Sequence, residues 1–82
     1  MSIEVLYFAG VRDTLGQSGE HVDLPEGVAT VAAFARHLEH LHPKLGGRLG
    51  SVRFAVNEVF ARDDDPVVDG DVVALIPPVA GG

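Results

Sequence analysis

The chain has 82 residues, no cysteine and a formal net charge of −6 at pH 7. This length fits one domain with one hydrophobic core, and the lack of cysteine excludes disulfides, thiolate nucleophiles and metal sites built on cysteine. The acidic balance disfavours nucleic acid and anionic membranes as partners. It would either steer a partner with a basic surface toward the chain or simply aid solubility.

The apolar stretches are strand-length, far below the ~20 residues that a membrane span requires. The first residues, Met1 to Glu4, show no basic segment followed by an apolar signal core. We therefore expect a cytoplasmic protein.

The first predicted strand covers residues 3–8, which are rich in β-branched and aromatic side chains. Alternation along a strand places Ile3, Val5 and Tyr7 on one face, and Leu6 and Phe8 on the other. A short helical turn is expected over residues 9–16, ended by Gly16. Residues 20–24 alternate polar and apolar side chains, which predicts a second, half-buried strand.

One main helix is predicted over residues 31–42, with Thr30 as its N-cap and Pro43 as its stop. Its apolar side chains recur at steps of three and four residues, which gives one apolar stripe. The stripe consists of Val31, Phe34, Leu38 and Leu41. Residues 45–50 are expected to be a glycine-rich connection.

Three further strands are predicted, over residues 52–57, 59–60 and 71–76. The last is apolar at every position after Asp71, which indicates a central strand covered on both faces. Pro77 and Pro78 cannot donate ladder hydrogen bonds, so pairing should stop there. This order of elements predicts an α+β domain over residues 1–76, with a mixed sheet of four to five strands on one main helix.

Residues 77–82 are expected to form an extended tail, because two prolines favour the polyproline conformation. Val79 supplies a modest apolar anchor, followed by Ala80. Gly81 and Gly82 have no Cβ, so the backbone can pass a narrow channel and approach a nucleotide closely. A frayed terminus without function is the alternative. We expect the reactive group to be the carboxyl of Gly82.

Several segments resemble one known family. They are Val5-Leu6-Tyr7-Phe8-Ala9 with Val11-Arg12-Asp13, then Ala55-Val56-Asn57, then Asp69-Gly70-Asp71-Val72-Val73-Ala74, and Pro77-Pro78-Val79-Ala80-Gly81-Gly82. Together they resemble the small subunit of molybdopterin synthase, in the MoaD branch of the MoaD/ThiS sulfur carriers. The resemblance implies a ubiquitin-like β-grasp fold.

The resemblance also implies a function. An E1-like enzyme would adenylate Gly82 with ATP, and a sulfur donor such as a cysteine desulfurase or rhodanese-type protein would yield a thiocarboxylate. The large subunit, in a heterotetramer of two small and two large subunits, would pass the sulfur to cyclic pyranopterin monophosphate. The chain itself would bind no cofactor and would not be an enzyme on its own. A thiamine thiazole carrier, a ubiquitin-like protein modifier and a plain interaction domain remain alternatives.

Family members meet their partners through an apolar patch on the open sheet face, and the matching positions here are Phe8, Phe60 and Ile76. Phe8 and Phe60 could instead cover each other at the sheet edge. Arg12 also falls in a family motif, but it could equally form a surface salt bridge to Asp13 or Glu58.

Two other groups of side chains are not expected to bind a metal. His37, His40 and His42 complete no recognised zinc motif, and a cationic histidine near a helix C-terminus is favoured by the helix dipole. Residues 63–65 are three aspartates without the EF-hand spacing.

Overall fold

A computed structural model describes residues 2–78. They form one five-stranded sheet with two α-helices and two short 3₁₀ turns. In chain order the elements are β1 (Ser2–Tyr7), α1 (Ala9–Leu15), β2 (Gly19–Asp23), α2 (Val31–Leu41), the 3₁₀ turns Pro43–Leu45 and Leu49–Ser51, β3 (Arg53–Val56), β4 (Val59–Ala61) and β5 (Val72–Ile76). Neither helix of this part of the chain is long and apolar enough to cross a membrane.

The strand order in the sheet is β2-β1-β5-β3-β4. β1 and β5 run parallel, and the other three pairings are antiparallel. The predicted mixed sheet and α+β class are therefore confirmed, and β5 lies at the centre of the sheet as its apolar sequence indicated.

Helix α2 begins where its cap predicts. The Thr30 side chain accepts a hydrogen bond from the Ala33 backbone N–H at 3.2 Å, which satisfies one of the helix's free amide groups. Val31, Phe34 and Leu38 are buried in the core. The helix ends at Leu41, one residue before the predicted end, and His42 caps it.

Leu41, the last member of the apolar stripe, is not buried with the other three: its side chain is 47% exposed. The chain turns into a 3₁₀ segment at Pro43, and Leu45 is buried there instead. The glycine-rich connection thus contributes to the core, because Leu49 in the second 3₁₀ turn is buried as well.

The helical turn predicted after β1 is a full α-helix of seven residues, so a second helix joins the predicted one. It ends as predicted at Gly16, whose φ of 72° places it in the left-handed region. Glycine adopts that conformation without steric cost. Val11 anchors α1 to the core.

The predicted tail begins directly after β5. Pro77 is half-buried, Pro78 is exposed, and neither belongs to a strand. Val79, Ala80, Gly81 and Gly82 lie outside the described residues.

Candidate functional site

The two faces of the sheet differ in what covers them. On β1, Ile3, Val5 and Tyr7 point into the core beneath α2 and are at most 1% exposed. The intervening side chains of β1 point to the opposite face, as the alternation predicted. No helix of residues 2–78 packs there, and we call it the open face.

Strand β5 shows the difference between the faces most clearly. Val73 and Leu75 are fully buried, whereas Val72, Ala74 and Ile76 are only half-buried. The prediction that this strand is covered on both faces is therefore wrong. The half-buried side chains of Val72, Ala74 and Ile76 instead belong to an uncovered surface of the sheet.

An apolar depression of about 280 Å³ lies on the open face. Its apolar lining, which we call the open-face patch, comes from four strands and the residue after β1: Leu6, Phe8, Ala55, Phe60, Val72, Ala74 and Ile76. Phe8 is 44% and Phe60 is 54% exposed. A contiguous apolar surface of this kind is typical of a docking site.

The structure therefore brings together three residues that the resemblance had singled out, Phe8, Phe60 and Ile76. The two phenylalanines line one depression but leave about half of each side chain exposed, so they do not cover each other fully. Arg12 does not line the depression. It is exposed on α1 and forms no ion pair with Asp13 or Glu58.

A tight hairpin holds Phe60 in the patch. Asn57 and Glu58, between β3 and β4, have φ values of 51° and 72°, the conformation that two-residue hairpin turns require. The Asn57 side chain accepts a hydrogen bond from the Val72 N–H and donates one to Asp71, each at 3.0 Å. This side chain joins the hairpin to β5 and so fixes Phe60 opposite Ala55.

Arg53 is a charged member of the open face that sequence reasoning missed. Its guanidinium carbon lies 3.9 Å from the centroid of the Phe60 ring, within the range of a cation–π contact. Alternation along β3 places Arg53 on the same face as Ala55, and that pattern was visible in the sequence. The contact of Arg53 with the Phe60 ring could not be predicted from the sequence, because it depends on the register between β3 and β4.

A polar cluster lies on the other side of the sheet. The Tyr7 hydroxyl donates a hydrogen bond of 2.6 Å to a carboxylate oxygen of Glu20, and His42 Nε2 lies 2.5 Å from the same oxygen. Within residues 2–78, no group of three or more His, Cys, Asp or Glu side chains is placed to hold a metal ion. The cluster instead joins β1, β2 and the end of α2.

Burial of the Tyr7 phenol, together with its hydrogen bond to Glu20 and the charge of that carboxylate, raises the pKa of Tyr7 above its ordinary value. We expect folding stability to be intact below about pH 10, the usual pKa of tyrosine, and to fall as pH rises beyond it, because the folded state resists ionisation. Tyr7 is the only tyrosine of the chain, so phenolate absorbance reports on it alone. That absorbance should appear only together with the loss of far-UV circular dichroism.

Tyr7→Phe provides the control, since its free energy of unfolding should decline less steeply in the same alkaline range. If the phenolate of Tyr7 forms at about pH 10 while the protein is still folded, the pKa of Tyr7 is not raised by its surroundings.

A family model described as the ThiS family matches residues 5–82, a range that includes the whole open-face patch. The chain belongs to the ThiS family. The resemblance noted from the sequence motifs is thereby confirmed, and the five-stranded mixed sheet has the ubiquitin-like β-grasp fold.

Three known proteins illustrate the likeness of this ThiS-family chain. The molybdopterin synthase sulfur carrier subunit of Escherichia coli is 38% identical, over 98% of this chain and 99% of that protein. The crystal structure of small archaeal modifier protein 1 of Haloferax volcanii has a TM-score of 0.83 at 28% identity, covering 95% of this chain and 98% of that one. A complex of subunits 1 and 2 of molybdopterin-converting factor from Helicobacter pylori contains a chain with a TM-score of 0.67 at 25% identity, each chain being fully covered.

Proposed function

We propose that this chain is the sulfur-carrier subunit of molybdopterin synthase. The observation that carries the proposal is the open-face patch, an uncovered apolar surface that includes Ile76, the last residue of β5 before the tail. The family match runs from residue 5 through Gly82. A relative 38% identical over nearly the whole chain is named as such a subunit.

The proposed reactive group is the carboxyl of Gly82. A terminal carboxylate has a pKa of about 3.3–3.7 and is ionised at neutral pH, which makes it a poor electrophile. Attack of the carboxylate on the α-phosphate of ATP would release pyrophosphate and give an acyl adenylate. The persulfide of a sulfur donor would then displace AMP and give an acyl disulfide. A second thiol would cleave its S–S bond, which leaves a thiocarboxylate on the chain and a disulfide on the thiols.

The chain would leave this chemistry to its partners, because it has no cysteine to act as a nucleophile or to carry sulfur. An E1-like enzyme would bind and use the ATP, so that the chain needs no cofactor of its own. A cysteine desulfurase or rhodanese-type protein would supply the sulfur. In this division of labour the chain is a non-catalytic subunit of a sulfurtransferase.

The large subunit of molybdopterin synthase would cover the open-face patch and receive the tail. The Helicobacter pylori complex of subunits 1 and 2 supports a partner of this kind. Two small and two large subunits would form a heterotetramer. Within this heterotetramer, the sulfur of the thiocarboxylate would bond to cyclic pyranopterin monophosphate. Water would then cleave the acyl C–S bond, which leaves the sulfur on the pterin and returns Gly82 to a carboxylate. We place these steps in the cytoplasm.

Intact-mass spectrometry tests the proposal. The purified chain is incubated with the activating enzyme, ATP, a sulfur donor and a thiol reductant, and its mass should increase by the difference between one sulfur and one oxygen. Addition of the large subunit and the pterin precursor should return the mass to that of the carboxylate. A chain that keeps its carboxylate mass under all these conditions would contradict the proposal.

A ubiquitin-like protein modifier is the second candidate, favoured by the likeness to small archaeal modifier protein 1. In that function Gly82 would form an isopeptide bond with a lysine of a target protein. Cell extracts would then contain conjugates of higher mass, and these would disappear when Gly82 is removed.

A further inference from the structure

Arg53 places a cation beside the open-face patch, and its position suggests how a partner is oriented. Arg53 is the first residue of β3 and pairs with Ile76 across the β3–β5 ladder. Its guanidinium lies over the Phe60 ring, 3.9 Å from the ring centroid. Arg53 is exposed, so its charge is solvated in the free chain.

The hydrogen-bonding capacity of this guanidinium is not used by the described part of the chain. Among residues 2–78, the structure shows no hydrogen bond and no ion pair from the Arg53 side chain. Glu58 lines the same depression without pairing with it. The contact with the Phe60 ring uses no hydrogen-bond acceptor, so a second molecule can bind the planar N–H donors of this guanidinium.

A partner that covers the open-face patch must remove water from beside Arg53. Taking a charged group out of water is costly unless an acceptor replaces the lost hydrogen bonds. A carboxylate suits this site best, because its two oxygens match the planar donors of arginine and also balance the charge.

We propose that Arg53 binds a carboxylate of the large subunit and thereby fixes how that subunit sits on the open-face patch. This inference rests on the proposed function. Charge complementarity supports it, because the chain carries a net charge of −6 and Glu4 and Glu58 flank the open face. A partner carboxylate would be repelled by those groups in other orientations and stabilised only beside Arg53.

Binding of the purified large subunit to variants of Arg53 tests the inference, with dissociation constants measured at low and high salt. Arg53→Met keeps the apolar stem over Phe60 but removes the charge, and should weaken binding roughly tenfold at low salt. Arg53→Glu adds repulsion and should be weaker still, by roughly another tenfold. Arg53→Lys keeps the charge without the planar fork and should fall between wild type and Arg53→Met.

These differences should shrink at high salt, because a pair at the rim loses only part of its water and ions screen charges that remain in contact with solvent. Arg36→Glu is the matched control: it makes the same charge change on an exposed residue of α2 and should bind like wild type. Thermal unfolding of each variant shows whether the fold is intact.

If Arg53→Met and Arg53→Glu bind equally well at low salt, the glutamate is not repelled by the partner. That result would overturn the proposal that Arg53 faces a carboxylate. Wild-type affinity in Arg53→Met would overturn the role of the charge altogether, while the proposed function would stand. No binding by the wild-type chain would contradict the proposed function and the inference with it.

Discussion

Deletion of Gly82 is expected to abolish thiocarboxylate formation while leaving the fold unchanged. Removing one residue shortens an extended tail by about 3.3–3.6 Å. A misplacement of about 1 Å at a reacting atom already costs on the order of a hundredfold in rate. We therefore expect the rate of thiocarboxylate formation, followed by intact mass, to fall by more than a hundredfold.

Two measurements make this deletion informative. Circular dichroism and thermal unfolding should match wild type, because the described core ends with β5 and Gly82 lies beyond it. The affinity for the large subunit should fall less than the rate does, since the open-face patch is intact. Full thiocarboxylate formation without Gly82 would contradict the requirement for this residue, because the carboxyl of the shortened chain would then be activated equally well.

Phe60→Asp is expected to remove binding of the large subunit. Phe60 is 54% exposed and supplies an aromatic side chain to the open-face patch. Aromatic side chains commonly carry a large share of the binding energy of an interface. The substitution removes this side chain and replaces it with a carboxylate beside Arg53, a charged group that is costly to take out of water. We expect the affinity to fall by roughly a hundredfold or more, measured by titration calorimetry.

Val59→Asp is the matched control. It introduces the same carboxylate on the neighbouring residue of β4, which is 67% exposed and points to the opposite face. Its binding should remain within a few-fold of wild type. If the two variants bind alike, whether both weakly or both tightly, the open-face patch is not the docking surface.

Local signals in the sequence were enough to predict much of the fold. The hydroxyl of Thr30 and the left-handed Gly16 act within one helical turn, so the ends of α1 and α2 that they set can be predicted from neighbouring residues alone. The alternation of β1 was predicted for the same reason. The continuous apolar run of β5 correctly indicated a central strand.

The same apolar run misled us about burial. Val72, Ala74 and Ile76 are apolar, as expected both for a strand face covered by a helix of the same chain and for one covered by a partner protein. The sequence alone therefore cannot distinguish the two cases. Arg53 could be assigned to a face but not to Phe60, because their contact depends on the register of β3 and β4. Leu41 matched the helical period, yet it is exposed in the last turn of α2, and Leu45 of the following 3₁₀ turn is buried instead.

The parallel pairing of β1 with β5 also determines when the protein can fold during synthesis. Glu4 pairs with Val72, and the two positions are separated by 72 − 4 = 68 residues. Contacts so distant in sequence slow folding, and this one cannot form until the last strand has left the ribosome. A nascent chain that stalls before β5 would lack the centre of the sheet and should be degraded rather than compete with the finished protein for its partners.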